Sequence, residues 1–247
     1  MKIIVSPAKK MRSEVDGVDA RSIPVFLEQS RQLAAHLKTL SLEELRRLLG
    51  CNDALARLNY ERYQRMDLDQ KGEPALLSYE GIQYQYMAPS VFEDAQFACA
   101  QEHLRILSGL YGVLKPLDGI VPYRLEMQAR LRTDFCTSLY DFWGPLLYEE
   151  LTKDENVILN LASAEYSRCI SRYVEGPIRM VDVIFAEQQP DGALREKGVY
   201  VKMARGEMVR YLCENQVSDV EEIRQFDRMR YHFDPSRSDA HRYVFVR

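Results

Sequence analysis

The chain has 247 residues, of which 46% are hydrophobic and 28% are charged. These proportions are typical of a soluble globular protein and exclude an intrinsically disordered chain. The formal net charge of −4 excludes a uniformly basic coat, although a local basic cleft on an acidic body is compatible with it. No apolar run approaches the roughly 18 residues of a membrane span, and the N-terminus lacks the apolar core of a signal peptide. We therefore expect a cytoplasmic protein that does not enter a membrane.

The five cysteines and four histidines are scattered along the chain. No two cysteines have the spacing of zinc ligands, and no histidine pair forms a known metal motif. An odd number of unclustered cysteines is typical of free thiols in a reducing compartment. The sequence also lacks the glycine-rich phosphate loop, the dinucleotide-binding fingerprint and the nucleophile elbow. We therefore expect no metal site and no cofactor.

Predicted strands and helices alternate along the chain. Lys2–Val5 is a short apolar run that Pro7 ends, which predicts a buried strand followed by a loop. The later predicted elements are helices over 25–63, a strand over 75–79, a helix over 90–102, a strand over 104–107, a helix over 139–151, strands over 157–161, 179–186 and 199–203, helices over 204–215 and 218–226, and closing strands at 231–233 and 243–246. No repeat or linker divides them. The fold class predicted is α/β (α+β), a single compact domain over residues 1–247 with a mixed β-sheet flanked by helices.

The stretch Leu107–Met127 combines three glycines and two prolines with large apolar residues, which indicates a bent backbone held in place by apolar anchors. Gly109 and Gly112 allow positive φ angles or close approach of another group. The segment Leu107–Gly112 is also close to the hairpin of a helix-hairpin-helix element, whose backbone N–H groups bind phosphate. Its glycines are three residues apart, whereas the usual hairpin has them two apart. A purely structural turn explains the same composition.

Basic residues recur at the ends of predicted elements: Lys9, Lys115, Arg124, Arg168, Lys202, Arg205 and Arg210. Aromatic residues accompany them: Tyr111, Tyr123, Tyr140, Trp143 and Tyr166. Aromatic rings among cations suit nucleic-acid strands or nucleotides, although a buried aromatic core beneath exposed cations gives the same pattern. Ser163 follows the predicted strand 157–161 and begins a helix, where backbone N–H groups attract anions or the serine merely caps the helix.

Taken together, these segments resemble the YaaA family, the bacterial peroxide-stress resistance proteins. The matching segments occur in the family's order over nearly the whole chain: 6–9, 107–118, 122–127, 139–140, 142–143, 160–163, 165–166, Lys202, 204–206 and Arg210. In one place the chain departs from the family pattern, because Arg230 stands where a glycine usually precedes the Tyr-x-Phe motif of Tyr231–Phe233. That edge of the molecule is therefore expected to have a different local turn.

The resemblance implies a YaaA-type fold with a positively charged cleft and a helix-hairpin-helix-like element associated with DNA binding. It implies a cytosolic protein that limits oxidative, iron-dependent damage to DNA and protein during peroxide stress. The candidate DNA-binding or anion-binding residues are Lys9, Gly109, Tyr111, Gly112, Lys115, Arg124, Ser163, Tyr166, Lys202, Arg205 and Arg210. Direct iron sequestration is a further alternative, but the sequence provides no cluster of iron ligands for it.

Two hypotheses follow for the cleft. The first is a protein that binds duplex DNA without sequence preference and without catalytic turnover. The second is an enzyme that acts on a nucleotide-like or other anionic small molecule, with a site formed by Lys9, Arg124, Glu126, Ser163, Tyr166, Lys202 and Arg205. A deep, narrow pocket would favour the enzyme, whereas an open groove about 20 Å wide would favour a duplex.

Overall fold

The computed structural model describes residues 1–15 and 17–247. Its strands are β1 (Lys2–Val5), β2 (Lys10–Met11), β3 (Glu73–Pro74), β4 (Tyr79–Glu80), β5 (Leu104–Ser108), β6 (Gly112–Leu114), β7 (Gly119–Ile120), β8 (Val157–Leu161), β9 (Arg179–Gln188), β10 (Leu194–Arg195), β11 (His232–Phe233) and β12 (Arg242–Val246). Its α-helices are α1 (Leu27–Thr39), α2 (Leu42–Leu49), α3 (Asp53–Arg65), α4 (Ala75–Ser78), α5 (Ile82–Met87), α6 (Asp94–His103), α7 (Leu139–Trp143), α8 (Leu146–Thr152), α9 (Ala164–Ser171) and α10 (Gly198–Glu214). Short 3₁₀ helices lie at Pro89–Val91, Glu222–Gln225, Arg228–Arg230 and Pro235–Arg237.

The main sheet has the strand order β11-β12-β9-β8-β1-β5-β6, and β10 pairs with β9. The five central strands, β12, β9, β8, β1 and β5, are parallel to one another, whereas β6, β10 and β11 are antiparallel to the strands they pair with. Strands β1, β5 and β8 are almost entirely buried, as expected for parallel strands that are covered on both faces. This mixed sheet flanked by helices confirms the predicted α/β (α+β) fold class.

Several elements form where the sequence predicts them. The strands predicted at 2–5, 104–107, 157–161 and 179–186 are present as β1, β5, β8 and β9. The helices predicted over 25–63 are α1 to α3. Ser41 and Glu44 form the reciprocal capping box at the start of α2, and the Asn52 side chain accepts the Leu55 N–H at the start of α3. Local capping chemistry thus determines these helix starts.

The helix-hairpin-helix interpretation of Leu107–Gly112 is wrong. The segment is the turn of a β-hairpin, because β5 and β6 pair antiparallel with Ser108 opposite Gly112. Ser108 Oγ accepts the N–H groups of Leu110 and Tyr111, at 3.2 and 2.9 Å. The turn therefore uses its own amides internally, and they are not free to bind a phosphate.

Two predicted strands are helices. Residues 199–203 belong to α10, where Val201, Ala204 and Met208 are buried at helical spacing. The turn predicted at 190–192 does join β9 to a strand, but that strand is β10 rather than 199–203. Residues 75–78 form the short helix α4. Its first N–H groups donate to main-chain oxygens of residues 116 and 118, so tertiary contacts override the strand propensity of the segment.

Three predicted helix boundaries also differ. The helix predicted over 139–151 is divided into α7 and α8, because Gly144 has a φ of 47° and Pro145 follows it. Helix α6 begins at Asp94, where Glu93 and Gln96 form the capping box, instead of at Ser90. The segment predicted as a helix over 218–226 forms only a short 3₁₀ helix.

Two glycines allow segments of backbone to pack directly against each other. A Cβ atom at Gly109 would overlap the carbonyl oxygen of Leu125, and one at Gly206 would overlap the carbonyl oxygen of Gln83. Gly109 thus brings the β5–β6 turn onto the segment 124–126. Gly206 brings α10 onto α5. Neither contact leaves room for any side chain.

Gly206→Ala should destabilise the protein by about 1–3 kcal/mol, because the added methyl group forces α10 away from the α5 backbone. Gly198→Ala is the matched control, since it adds the same methyl group to the same helix where no other atom lies within 4 Å. We expect Gly198→Ala to leave stability unchanged or raise it by up to about 1 kcal/mol. The free energy of unfolding in urea measures both. Equal destabilisation by the two variants would contradict the packing argument.

Candidate functional site: a donor-rich pocket at the strand ends

A pocket of about 510 Å³ lies where the parallel strands β1 and β8 end. This is the edge of an α/β sheet at which ligands bind most often. Its volume falls within the range of small-molecule sites, about 300–1,000 Å³. The walls come from the loop after β1, from α5, from the segment 123–126, from the start of α9 and from α10.

Two serines join the ends of β1 and β8. Val5 and Leu161 are register partners, and Ser6 and Ser163 follow them by one and two residues. Ser6 Oγ accepts the Ser163 N–H at 2.8 Å and donates to Ser163 Oγ at 3.1 Å. Ser163 is the N-cap residue of α9, but its side chain makes no capping hydrogen bond. The first turn of α9 therefore opens into the pocket without a side-chain cap, a geometry that favours anions.

A carboxylate in the pocket lies between two cations. Glu126 Oε1 is 3.0 Å from Arg124 Nη2 and 3.1 Å from Lys9 Nζ. The Arg124 side chain is only 12% exposed, whereas Lys9 is exposed to solvent. Arg124 Nε is buried and has no hydrogen-bond partner among residues 1–15 and 17–247. One guanidinium donor thus stays unpaired despite the ion pair.

Helices α5 and α10 contribute two more buried donors. Arg205 Nε and Gln83 Nε2 are buried, and neither has a hydrogen-bond partner in the part of the chain that the structure describes. Gln83 is only 8% exposed. Burial lowers the pKa of the Arg205 guanidinium, and Glu196 and Asp182 oppose that shift. Lys202 lies one helical turn before Arg205 and is exposed at the pocket.

Tyrosines form the remaining apolar wall. Tyr84 donates its hydroxyl to the Ser6 carbonyl oxygen at 3.0 Å. The Tyr123 hydroxyl bonds to Tyr79 at 2.8 Å and to Ser108 at 2.5 Å. Burial raises the pKa of Tyr123 to about 12, so its ring is neutral at physiological pH. Tyr166 is likewise buried, and burial raises the pKa of its phenol.

Glu165 is a second carboxylate in the pocket, placed in the first turn of α9. Burial raises the pKa of its carboxyl group, and Glu126 contributes to the rise. Its Oε1 accepts the Gln128 N–H at 3.2 Å, which opposes the shift. The pocket thus contains one carboxylate paired with two cations and another whose pKa is raised by burial.

The structure brings part of the candidate set together. Candidates that line the pocket are Lys9, Arg124, Ser163, Tyr166, Lys202 and Arg205. Glu126, which the sequence assigns to the alternative small-molecule site, lines it as well. Ser6, Gln83, Tyr84 and Glu165 were missed. Ser6 could have been found from its position after a buried strand, whereas nothing in the sequence marks Gln83.

The other candidates lie elsewhere. Gly109, Tyr111 and Gly112 belong to the buried hairpin, where the Tyr111 hydroxyl accepts the Val121 N–H. Lys115 lines a separate cavity of about 240 Å³. Arg210 pairs with Glu214 at 2.7 Å on another part of α10.

Among residues 1–15 and 17–247, no group of three or more His, Cys, Asp or Glu side chains is placed to hold a metal ion. No helix in that part of the chain is both long and apolar enough to cross a membrane.

Comparison with known proteins identifies the family. Residues 1–237 match the family described as peroxide stress protein YaaA. The chain belongs to the YaaA family. It is 56% identical to a UPF0246 protein of Desulfitobacterium hafniense over 247 residues, which cover 100% of this chain and 98% of that relative. It is 49% identical to a UPF0246 protein of Lachnoclostridium phytofermentans, over 100% of this chain and 96% of the relative. Membership of the YaaA family supports a role in peroxide stress.

Tyr123→Phe should destabilise the protein by about 1–3 kcal/mol, because it removes the shared hydrogen-bond partner of the buried Tyr79 and Ser108 hydroxyls. Tyr86→Phe removes a hydroxyl from a half-buried tyrosine outside this network and should change stability by less than about 0.5 kcal/mol. Thermal unfolding followed by circular dichroism measures the difference. Similar melting temperatures for the two variants would show that the network does not stabilise the pocket wall.

Proposed function

We propose that the pocket binds a small, nucleotide-like anion and that this binding is how the protein acts in peroxide stress. The observation that carries the proposal is the set of three buried donors without acceptors: Arg124 Nε, Arg205 Nε and Gln83 Nε2. A buried donor that lacks a partner costs about 1–3 kcal/mol. A ligand with several acceptor oxygens would recover that free energy, and a phosphate or carboxylate group has them.

The remaining walls fit the rest of such a ligand. Tyr84, Tyr123 and Tyr166 also line the pocket, and aromatic rings are suited to pack against a base or a sugar. The uncapped first turn of α9 attracts negative charge beside Ser163. A pocket of about 510 Å³ can hold a mononucleotide, but it is far too small for a duplex about 20 Å across.

Under this proposal the protein acts in the cytoplasm and limits iron-dependent damage to DNA and protein. Binding alone could serve that role, for example by sensing a nucleotide. Turnover is the alternative, and Glu165 is then the group suited to donate a proton, since burial raises the pKa of its carboxyl group. Glu126 is instead paired with Lys9 and Arg124.

Isothermal titration with the four nucleoside monophosphates, their nucleosides and inorganic phosphate tests the proposal. We expect at least one monophosphate to bind, and its nucleoside to bind at least tenfold more weakly. Arg205→Gln should weaken that binding about 30-fold, which is about 2 kcal/mol, because a buried charged contact is lost. Chromatography of the recovered ligand reports turnover in the same samples.

Arg210→Gln is the matched control, because it removes a guanidinium from the same helix at a position that pairs with Glu214 outside the pocket. Its affinity should equal that of the unmodified protein. The proposal fails if no monophosphate binds at millimolar concentration. It also fails if the two variants weaken binding equally.

DNA binding is the second candidate, favoured by exposed cations at the mouth of the pocket. Lys9 and Lys10 line the mouth, and Arg12 follows them on the exposed surface. Lys10 and Arg12 share Glu80, at 2.8 and 3.2 Å. We propose that these residues would hold backbone phosphates outside the pocket while one nucleotide of a strand occupies it. A duplex would then bind only through its end or a distorted step.

Fluorescence anisotropy with labelled single-stranded and duplex DNA tests this candidate. Affinity should fall steeply with salt, and Lys10→Glu should weaken binding and reduce the slope of log K against log salt by about one. Lys153→Glu makes the same charge change at an exposed position on α8, far along the chain from the mouth, and should have a smaller effect. Identical losses of DNA affinity in both variants would indicate a general charge effect. They would exclude a specific binding path for a DNA strand across Lys10.

A further inference from the structure

Two cysteine thiols meet where α6 packs against α10. Cys99 lies on α6 and Cys213 on α10, and the two helices are in direct contact. The Cys99 thiol donates to the carbonyl oxygen of Leu212, the residue before Cys213, at 3.9 Å, which places it against the turn of α10 that carries Cys213. Cys99 is 6% exposed and Cys213 is 1% exposed. The pair is separated by more than 100 residues in sequence, so only the fold brings the two sulfur atoms together.

The other cysteines have different surroundings. Cys136 Sγ accepts the Thr133 hydroxyl at 3.3 Å. Cys169 is buried on α9, and burial raises the pKa of its thiol to about 12. Cys51 lies half-buried in the link between α2 and α3. All five cysteines are free thiols in the structure.

We propose that Cys99 and Cys213 form a dithiol modification site that hydrogen peroxide oxidises to a disulfide, thereby linking α6 covalently to α10. The site is distinct from the pocket and does not depend on what the pocket binds. Its oxidant is the molecule whose stress response the family serves.

The chemistry balances with one equivalent of peroxide. The Cys99 thiolate attacks one peroxide oxygen, the O–O bond breaks, and the leaving hydroxide takes up a proton to become water. This step produces a sulfenic acid at Cys99. The Cys213 sulfur then attacks that sulfenic sulfur, the S–S bond forms, and a second water leaves with the Cys213 proton. Two thiols thus supply the two electrons that reduce one peroxide to two waters.

The surroundings of the two sulfurs assign the order of these steps. A hydrogen bond from Cys213 lowers the pKa of the Cys99 thiol, while the same bond and burial raise the pKa of Cys213. Cys99 is therefore the sulfur that attacks peroxide, because the thiolate is the nucleophile and Cys99 is the more exposed of the two, 6% against 1%. Cys213 is the sulfur that resolves the sulfenic acid.

The pair lies close beneath the surface. One turn before Cys99, the Ala95 carbonyl oxygen accepts the exposed Gln216 side-chain amide at 3.2 Å. The same amide donates to the Cys213 carbonyl oxygen at 2.8 Å. A local opening of this bridge would admit a molecule as small as peroxide to the two sulfurs without unfolding either helix.

Disulfide formation would also affect the pocket through α10. The two sulfurs must close to about 2 Å, so α6 and α10 have to shift toward each other. Arg205 lies eight residues before Cys213 on the same rigid helix, about 12 Å along its axis. The oxidised site would thus alter the position of a pocket cation.

Peptide mapping of the full chain tests the site. The reduced protein is treated with increasing hydrogen peroxide, free thiols are alkylated, and the digest is analysed by mass spectrometry. We expect a cross-linked peptide pair joining Cys99 to Cys213, with a mass two hydrogens below the sum of its parts. In Cys213→Ser, the sulfenic acid should accumulate at Cys99 and react with dimedone.

Cys136→Ser is the control variant and should give the same cross-link as the unmodified protein. The proposal fails if Cys99 and Cys213 both stay alkylatable while other cysteines oxidise. It also fails if Cys99 goes to sulfinic or sulfonic acid without the disulfide. Because the mapping is done first on the unmodified chain, neither result depends on a variant folding well.

Discussion

Direct contact between backbone segments at two glycines determines where the charged groups of the pocket lie. Gly109 packs on the Leu125 carbonyl group, next to the two residues that form the Arg124–Glu126 ion pair. Gly206 packs on the Gln83 carbonyl group, next to Arg205. Both walls are thus positioned by contacts that no side chain separates. Such contacts are rigid because packed backbone cannot relax by rotating side chains.

The buried donors on which the proposed anion binding rests also lower the stability of the folded state. Three donors are held away from water without acceptors, and each costs about 1–3 kcal/mol relative to a bonded donor. The apolar sheet and its helices offset this cost, with strands β1, β5 and β8 almost fully buried. Donors that are fixed before the ligand arrives need no reorganisation on binding. A local violation of hydrogen-bond satisfaction inside a well-packed body is typical of functional sites.

Features that depend on local sequence patterns could be predicted from the sequence alone. Apolar runs predicted β1, β8 and β9, and the ends of β1 and β8 carry Lys9 and Ser163, which were site candidates. Lys202 was also a candidate, but on the wrong element. The β-branched residues near it favour a strand, whereas burial of one face at helical spacing makes the segment part of α10.

Features that depend on distant contacts could not be predicted. Gln83 belongs to a helix of six residues, and it reaches the pocket only because Gly206, more than 100 residues away, lets α10 approach. The hairpin at 107–112 has a composition similar to that of a phosphate-binding loop. Only the strand pairing and the Ser108 hydrogen bonds reveal that its amides are already used. Lys115 and Arg210 are charged, but the fold places Lys115 at a separate cavity and Arg210 in an ion pair with Glu214.

Glu126 gives the pocket an internal competitor for any incoming anion. Its carboxylate already neutralises one face of Arg124 and the ammonium group of Lys9. A ligand that offers a single negative oxygen would therefore replace an equivalent contact and gain little. Under the proposed function, a group with several oxygens would gain more by also accepting from Arg124 and Arg205, whose Nε atoms have no acceptor among residues 1–15 and 17–247. Under the proposed function, the pocket would thereby favour ligands with several acceptor atoms over chloride and other simple anions.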